Sequence, residues 1–110
     1  ISYFLFFIFF KFIKMKKKVA ILGSTGSIGK NLINIIENDK KKFEIILLTA
    51  NKDYKSLLKQ AKKFNVKNLI ITNYKSYKLL KKKINKKEIN IYNDFKNLNK
   101  IFKSRIDYTM

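Results

Sequence analysis

A chain of 110 residues has room for one hydrophobic core, and with 46% apolar and 15% aromatic residues it is too apolar for the disordered class. It contains neither cysteine nor histidine, which excludes disulfide frameworks, thiolate chemistry, the usual zinc sites and histidine acid–base catalysis. The formal charge of +19 would suit a polyanionic partner, but the basic residues are nearly all lysine, Arg105 being the only arginine, and a chain rich in Lys, Asn and Ile without Pro matches A/T-rich coding.

Residues 1–14 carry an apolar run of about ten residues broken by Lys11, whereas a membrane-spanning helix needs about 20. No basic stretch precedes the run and no small-residue cleavage site follows it, as a signal peptide would require. Met15, directly before the lysine-rich approach to the first strand, is the expected natural start, with a leader or a membrane-surface anchor as alternatives. Residues 19–22 (VAIL) then read as a buried strand, followed at once by the turn GSTGSIG at 23–29. Leu32, Ile33 and Ile36 put one apolar stripe on a helix over 27–38, and 43–49 (FEIILLT) is a second strand too uniformly apolar for a sheet with one wet face.

Tyr54, Leu57, Leu58, Ala61 and Phe64 mark a second helix, and 68–72 (NLIIT) a third strand. Beyond Asn73 the pattern weakens but continues. Tyr77, Leu80 and Ile84 suit a helix, 89–92 a short strand, Phe95, Leu98 and Phe102 another helix, and 107–110 the start of a strand. The lysine runs 16–18, 40–42 and 81–87 read as solvated turns and helix ends. This alternation predicts an α/β fold, a parallel sheet with helices on both faces. Ending on a barely begun strand, it is expected to be truncated.

All three glycines of the chain stand in the first turn, at every third position. Gly23 would turn the chain sharply out of the strand, Gly26 would let backbone approach a pyrophosphate, and Gly29 would let the helix pack near the sheet. The hydroxyls of Ser24, Thr25 and Ser27 can donate to phosphate oxygens, and the amides that open the helix favour an anion. Strand, glycine turn and helix together are the context of a Rossmann-like dinucleotide site. The end of the second strand bears on the choice of cofactor. NAD sites usually place a carboxylate there for the ribose 2′-hydroxyl, whereas this chain has Thr49, Ala50, Asn51 and Lys52, with Asp53 following. Lysine at that place would pair with the 2′-phosphate of NADPH.

The run KKKVAILGSTGSIGKNLINIIENDKKKFEIILLTA, with ANKD, QAKKFNVKNLIIT and the closing DYTM, resembles the N-terminal region of the 1-deoxy-D-xylulose 5-phosphate reductoisomerases, over about 15–110. That resemblance implies an NADP-dependent oxidoreductase of isoprene biosynthesis. The family rearranges and reduces 1-deoxy-D-xylulose 5-phosphate, a phosphorylated sugar, to 2-C-methyl-D-erythritol 4-phosphate with NADPH and a divalent metal (Mg2+ or Mn2+). A homodimer and a cytoplasmic, bacterial or plastid-type pathway are implied with it. Thr25, Gly26, Ser27 and Ile28 would contact the cofactor phosphates, and Asn51, Lys52 and Asp53 fall where the family has Gly-Lys-Asn near the adenosine ribose.

Two departures stand out. Asn51 replaces a glycine, although asparagine tolerates a positive φ, and Asp53 replaces an asparagine, adding negative charge beside the expected 2′-phosphate. In the family, acidic residues hold the metal and a later domain the substrate, both past residue 110. The seven carboxylates here are scattered with no Asp-x-Glu pair, so none is assigned to catalysis or to a metal. The expectation is an incomplete dinucleotide-binding domain over 15–110 that does not turn over substrate, with residues 1–14 outside the fold. The alternative is a basic remnant that binds polyanions non-specifically through charge alone. No specific nucleic-acid partner is expected, because guanidinium groups are what read base edges, and no membrane span.

Overall fold

The regular elements follow the apolar runs. They are β1 (Lys17–Ile21), α1 (Ser27–Glu37), β2 (Phe43–Ala50), α2 (Tyr54–Phe64), β3 (Asn68–Ile71), α3 (Tyr74–Lys83), β4 (Asn90–Tyr92), α4 (Leu98–Ile101) and β5 (Tyr108–Thr109). The computed structural model describes residues 17–84, 88–103 and 108–109. The expectations for residues 1–14, for 85–87 of the last lysine run, and for Asp107 and Met110 lie outside the described residues.

The strands form one five-stranded sheet in the order β4-β3-β2-β1-β5, and every neighbouring pair is parallel. From β1 to β4 each crossover steps the same way along the sheet. Right-handed crossovers then place all three intervening helices on one face. Ile33 and Ile36 of α1, Leu57 and Ala61 of α2 and Leu80 of α3 accordingly share one core with Val19, Ile21, Leu69 and Ile71 of the strands. The return from β4 to β5 runs back past the sheet to the far side of β1, and α4 packs Ile101 on the opposite face against Ala20, Leu47 and Ile70. Among the described residues helices therefore cover both faces, three on one and a single short one on the other. The strand order reverses beside β1, and in open α/β sheets ligands bind at such a reversal, outside the carboxyl ends of the strands.

A register shift between Val19 and Ala20 of β1 adds one residue to the β2 side of the ladder, since Val19 faces Ile45 while Ala20 faces Leu47. The extra residue breaks strict alternation. Ile45, Leu48 and Ala50 face the core of α1 to α3, while Ile46 and Leu47 both lie toward α4.

Helix ends are set by local chemistry. The side chains of Asp53 and Asn73 each accept from a backbone N–H three residues on, Ser56 and Ser76, at 3.0 Å. Lysines gather in the last turns, Lys62 and Lys63 in α2 and Lys81, Lys82 and Lys83 in α3, where exposed carbonyls favour cations. Asn65 closes α2 in the left-handed region with φ 54°, and the Val66 N–H returns to the Ala61 carbonyl at 2.9 Å.

Three expectations change. The first strand begins at Lys17 because a parallel ladder needs backbone groups before it needs apolar side chains: Lys17 and Lys18 pair with Phe43 and Glu44, so this part of the lysine run is strand and not turn. Leu22, expected in the strand, lies beyond it and is 45% exposed, since the chain turns out of the sheet at Gly23 with φ +65°. The last helix is only four residues long: Leu98 and Phe102 pack with the buried Ile101 as expected of a stripe, but Phe95 lies before the helix and is 42% exposed. Asp94 accepts from the Lys96 N–H at 3.0 Å, which holds the preceding residues in a turn.

Candidate functional site

The turn at 23–29 leaves β1 at its carboxyl end and opens α1. Gly23 takes φ +65°, its N–H donates to Thr49 Oγ1 at 2.9 Å, and the next N–H, of Ser24, donates to the Thr49 carbonyl at 2.9 Å. One residue at the end of β2 thus fixes the start of the turn. Ser24 is fully buried; its hydroxyl donates to Gln60 Oε1 at 2.7 Å, while Gln60 Nε2 donates to the Ser24 carbonyl at 2.9 Å. This reciprocal pair fastens the turn to α2. It also corrects the expectation for Ser24, whose hydroxyl points into the protein and cannot donate to a phosphate. Thr25 is half-buried, and Ser27 and Ile28 are exposed, Ile28 at 77%.

The three glycines answer to different constraints. A Cβ on Gly29 would overlap the Gly23 carbonyl oxygen and stand 2.6 Å from Ser24 Cα, so the helix can approach the turn only if residue 29 has no side chain. A Cβ on Gly26 would meet nothing closer than the Gly23 oxygen at 3.5 Å, an ordinary contact, and Gly26 sits at φ −75°, ψ 172°, which any residue adopts. No neighbour within the chain requires glycine at 26, the position expected to lie under a pyrophosphate. Gly26 is also the N-cap of α1, without a side-chain cap, and the first intrahelical bond runs from Lys30 N–H to the Gly26 carbonyl at 2.8 Å. The amides of Ser27, Ile28 and Gly29 precede that bond, the usual place for orphan donors, and no carboxylate occupies the first turn. A bare helix start of this kind suits an anion.

The loop after β2 lies beside this turn through Thr49. Lys52 is exposed, and its carbonyl accepts from the Tyr54 N–H at 2.8 Å. Asp53 is the N-cap of α2: the Ser56 hydrogen bonds hold its carboxyl below the ordinary carboxylate range, and the charges of Lys30 and Lys55 act in the same direction. Part of the negative charge expected beside a 2′-phosphate is therefore engaged by the helix start. Asn51 does not use the positive φ foreseen for it, since Asn65 is the only non-glycine with positive φ among the described residues. Instead its Oδ1 accepts from Thr72 Oγ1 at 2.8 Å and its carbonyl from the Asn73 N–H at 2.9 Å. Asn93 Nδ2 continues the chain of bonds to the Ile71 and Thr72 carbonyls, at 2.8 and 3.2 Å. The carboxyl ends of β2, β3 and β4 are joined by these polar contacts.

Thr49 and Gln60 were not among the residues singled out from sequence. Gln60 carried a signal, being a polar side chain between Leu57 and Ala61 on the buried stripe of a helix. Such a residue needs a partner. Among the described residues no group of three or more acidic side chains converges on a point where a metal could sit, and no helix is long and apolar enough to cross a membrane.

The family model for 1-deoxy-D-xylulose 5-phosphate reductoisomerase matches residues 19–110. The chain belongs to that reductoisomerase family. The reductoisomerase of Pelagibacter ubique is 52% identical over 95 residues, 84% of this chain and 24% of that protein. That of Buchnera aphidicola from Schizaphis graminum is 41% identical over 72 residues, 66% of this chain and 18% of that protein. Among solved structures, the Zymomonas mobilis reductoisomerase in complex with NADPH superimposes with a TM-score of 0.76 at 30% identity, covering 87% of this chain and 25% of that one. A reductoisomerase in complex with NADPH, fosmidomycin and magnesium gives 0.73 at 26% identity, covering 84% and 23%. The chain thus spans about a quarter or less of the length of the reductoisomerases it matches.

Proposed function

We propose that this chain is the NADPH-binding N-terminal part of a 1-deoxy-D-xylulose 5-phosphate reductoisomerase. Gly26 carries the reading. A glycine with no steric need among its described neighbours, at an N-cap with no side-chain cap and no carboxylate in the first turn, is accounted for by a ligand that passes close to the backbone. The Zymomonas relative that shares this fold holds NADPH. In this reading Gly23, Thr25, Gly26, Ser27, Ile28 and Gly29 form the seat of the pyrophosphate: backbone N–H groups and the hydroxyls of Thr25 and Ser27 donate, and Ile28 covers the cofactor from above the turn. Lys52 pairs with the 2′-phosphate, while Asn51 and Asp53 shape the loop that presents it. Ser24 acts from behind, through Gln60.

When bound, NADPH supplies the hydride for the reduction that follows rearrangement of 1-deoxy-D-xylulose 5-phosphate. The divalent metal and the sugar phosphate belong, in this reading, to parts of the full-length enzyme beyond the matched span. The residues described here bind and orient the cofactor and do not turn over substrate. Isoprenoid precursor synthesis in the cytoplasm or a plastid, and a dimeric full-length enzyme, go with the same proposal, as does a 15–110 boundary for the cofactor-binding unit.

Titrating the 110-residue chain with NADPH and NADH by calorimetry tests it. Tighter binding of NADPH is expected, with only a modest loss between low and high salt. Equal or tighter NADH binding would end the NADP assignment. Binding of inorganic polyphosphate that collapses steeply with salt, without nucleotide binding, would favour the basic remnant.

A further inference from the structure

Lys30 belongs to neither loop so far described, and its position connects them. It follows Gly29 directly, its N–H makes the first intrahelical bond of α1, and its side chain is exposed. A groove of about 340 Å³ between α1 and α2 is lined by Lys30 together with Ser56 and Gln60, and by two lysines of α2, Lys59 and Lys63, the second of which is paired with Glu37. Ser56 is the residue whose N–H is capped by Asp53, and Gln60 is the residue that grips Ser24 of the glycine turn. Lys30 therefore stands between the pyrophosphate seat and the start of α2, close enough for its charge to act on the Asp53 carboxylate.

An acid at the end of the second strand is the feature that ordinarily selects NAD, by accepting from the ribose 2′-hydroxyl and repelling a 2′-phosphate. This chain carries such an acid immediately after the lysine expected to bind that phosphate. A further cation near the acid would favour NADPH, and Lys30 shares a groove with Ser56, the residue that Asp53 caps. We infer that Lys30 is a cofactor-specificity residue: reaching across the α1–α2 groove, it offsets Asp53 and joins Lys52 in holding the 2′-phosphate from the glycine-turn side. The inference rests on the NADPH reading above. It gives the preference for NADPH two lysines on separate elements, with a neutralised carboxylate between them.

The test compares Lys30→Met, Lys30→Arg and Lys41→Met in the 110-residue chain, with NADPH and NADH affinities measured by calorimetry and folding checked by circular dichroism melting. Lys41 lies in the turn that leads into β2, at the opposite rim of the sheet, and controls for the loss of one positive charge. Lys30→Met is expected to weaken NADPH about tenfold and to leave NADH within about twofold, the size expected for one charge-assisted contact. Lys30→Arg retains the preference, and Lys41→Met changes neither affinity. Adding Asp53→Asn to Lys30→Met recovers part of the lost NADPH affinity. A Lys30→Met chain that loses both nucleotides equally, or neither, overturns the inference while leaving the NADPH reading in place. A parent chain that binds neither nucleotide overturns that reading and the inference with it.

Discussion

Substituting Gly29 by alanine separates the glycine that packing demands from the glycine that a ligand demands. The added methyl would stand 2.6 Å from Ser24 Cα and 2.8 Å from the Ser24 carbonyl carbon, both backbone atoms with no rotamer to escape into. Forcing a carbon into such a contact costs about 1–3 kcal/mol. Moving Ser24 away also strains its bonds to Gln60 and Thr49, each with a net value of about 1 kcal/mol. With about two of these three bonds' worth lost to strain, the sum, roughly 3–5 kcal/mol, is a large part of the ~5–15 kcal/mol that holds a domain together. At about 4–8 °C per kcal/mol for a chain of this size, the melting temperature should fall by at least ~12 °C. Gly26→Ala is the counterpart. Its methyl meets an ordinary contact at φ −75°, so stability should hold or rise by about 0.4–1 kcal/mol through the unfolded chain. NADPH affinity should nevertheless drop about tenfold or more, because the methyl occupies the surface a pyrophosphate would approach. Thermal melts followed by circular dichroism, paired with calorimetric titration, read both effects. A Gly29→Ala chain that melts within a degree or two of the parent, or a Gly26→Ala chain that binds NADPH as the parent does, would refute the division of roles.

Gln60→Leu should cost about 1–3 kcal/mol, since it takes the side-chain donor from the buried Ser24 carbonyl and leaves the Ser24 hydroxyl only the long bond to the Thr49 carbonyl at 3.4 Å. Combined with Ser24→Ala in a double-mutant cycle by urea denaturation, the two substitutions should couple by about 1 kcal/mol; additive costs would mean that the pair is not a unit. Asp53→Ala should lower stability by about 1 kcal/mol at neutral pH by removing the α2 cap. Its folded pKa lies below the unfolded value of about 3.9, so the parent holds this contribution fully above that value and loses it as pH falls through the lower folded one. The difference between parent and variant should therefore shrink under acid, and a gap that persists well below pH 3.9 would show that the carboxylate charge is not what matters.

Much of the architecture was readable because each early element carries an unambiguous period. Leu57 and Ala61 of α2 fall where a 3.6-residue repeat puts them, and the run FEIILLT could only be a strand wet on neither face. The helix at 98–101 was expected to start too early, because Phe95 stands at a suitable interval before Leu98 and Phe102 while the local Asp94 turn is something a periodicity cannot register. The glycine turn was legible in its position and not in its inward contacts. Glycine spacing locates a turn, but the sequence is silent on whether Ser24 faces a ligand or Gln60, because that depends on an α2 residue 36 positions away. Asn51 shows the same limit: a residue that stands where the family has glycine, and was expected to tolerate its positive φ, spends its side chain on Thr72 just past the next strand instead.

The joined ends of β2, β3 and β4 bear on how a nucleotide would arrive. Asn51, Thr72 and Asn93 tie three loops into one rim through hydrogen bonds made wholly within the chain. If this rim faces the adenosine as proposed, capture needs no slow ordering step. Association should then proceed in a single kinetic phase whose rate rises in proportion to nucleotide concentration and falls with ionic strength, as lysine-steered encounters do. Differences between cofactors would be written chiefly in how long each one stays.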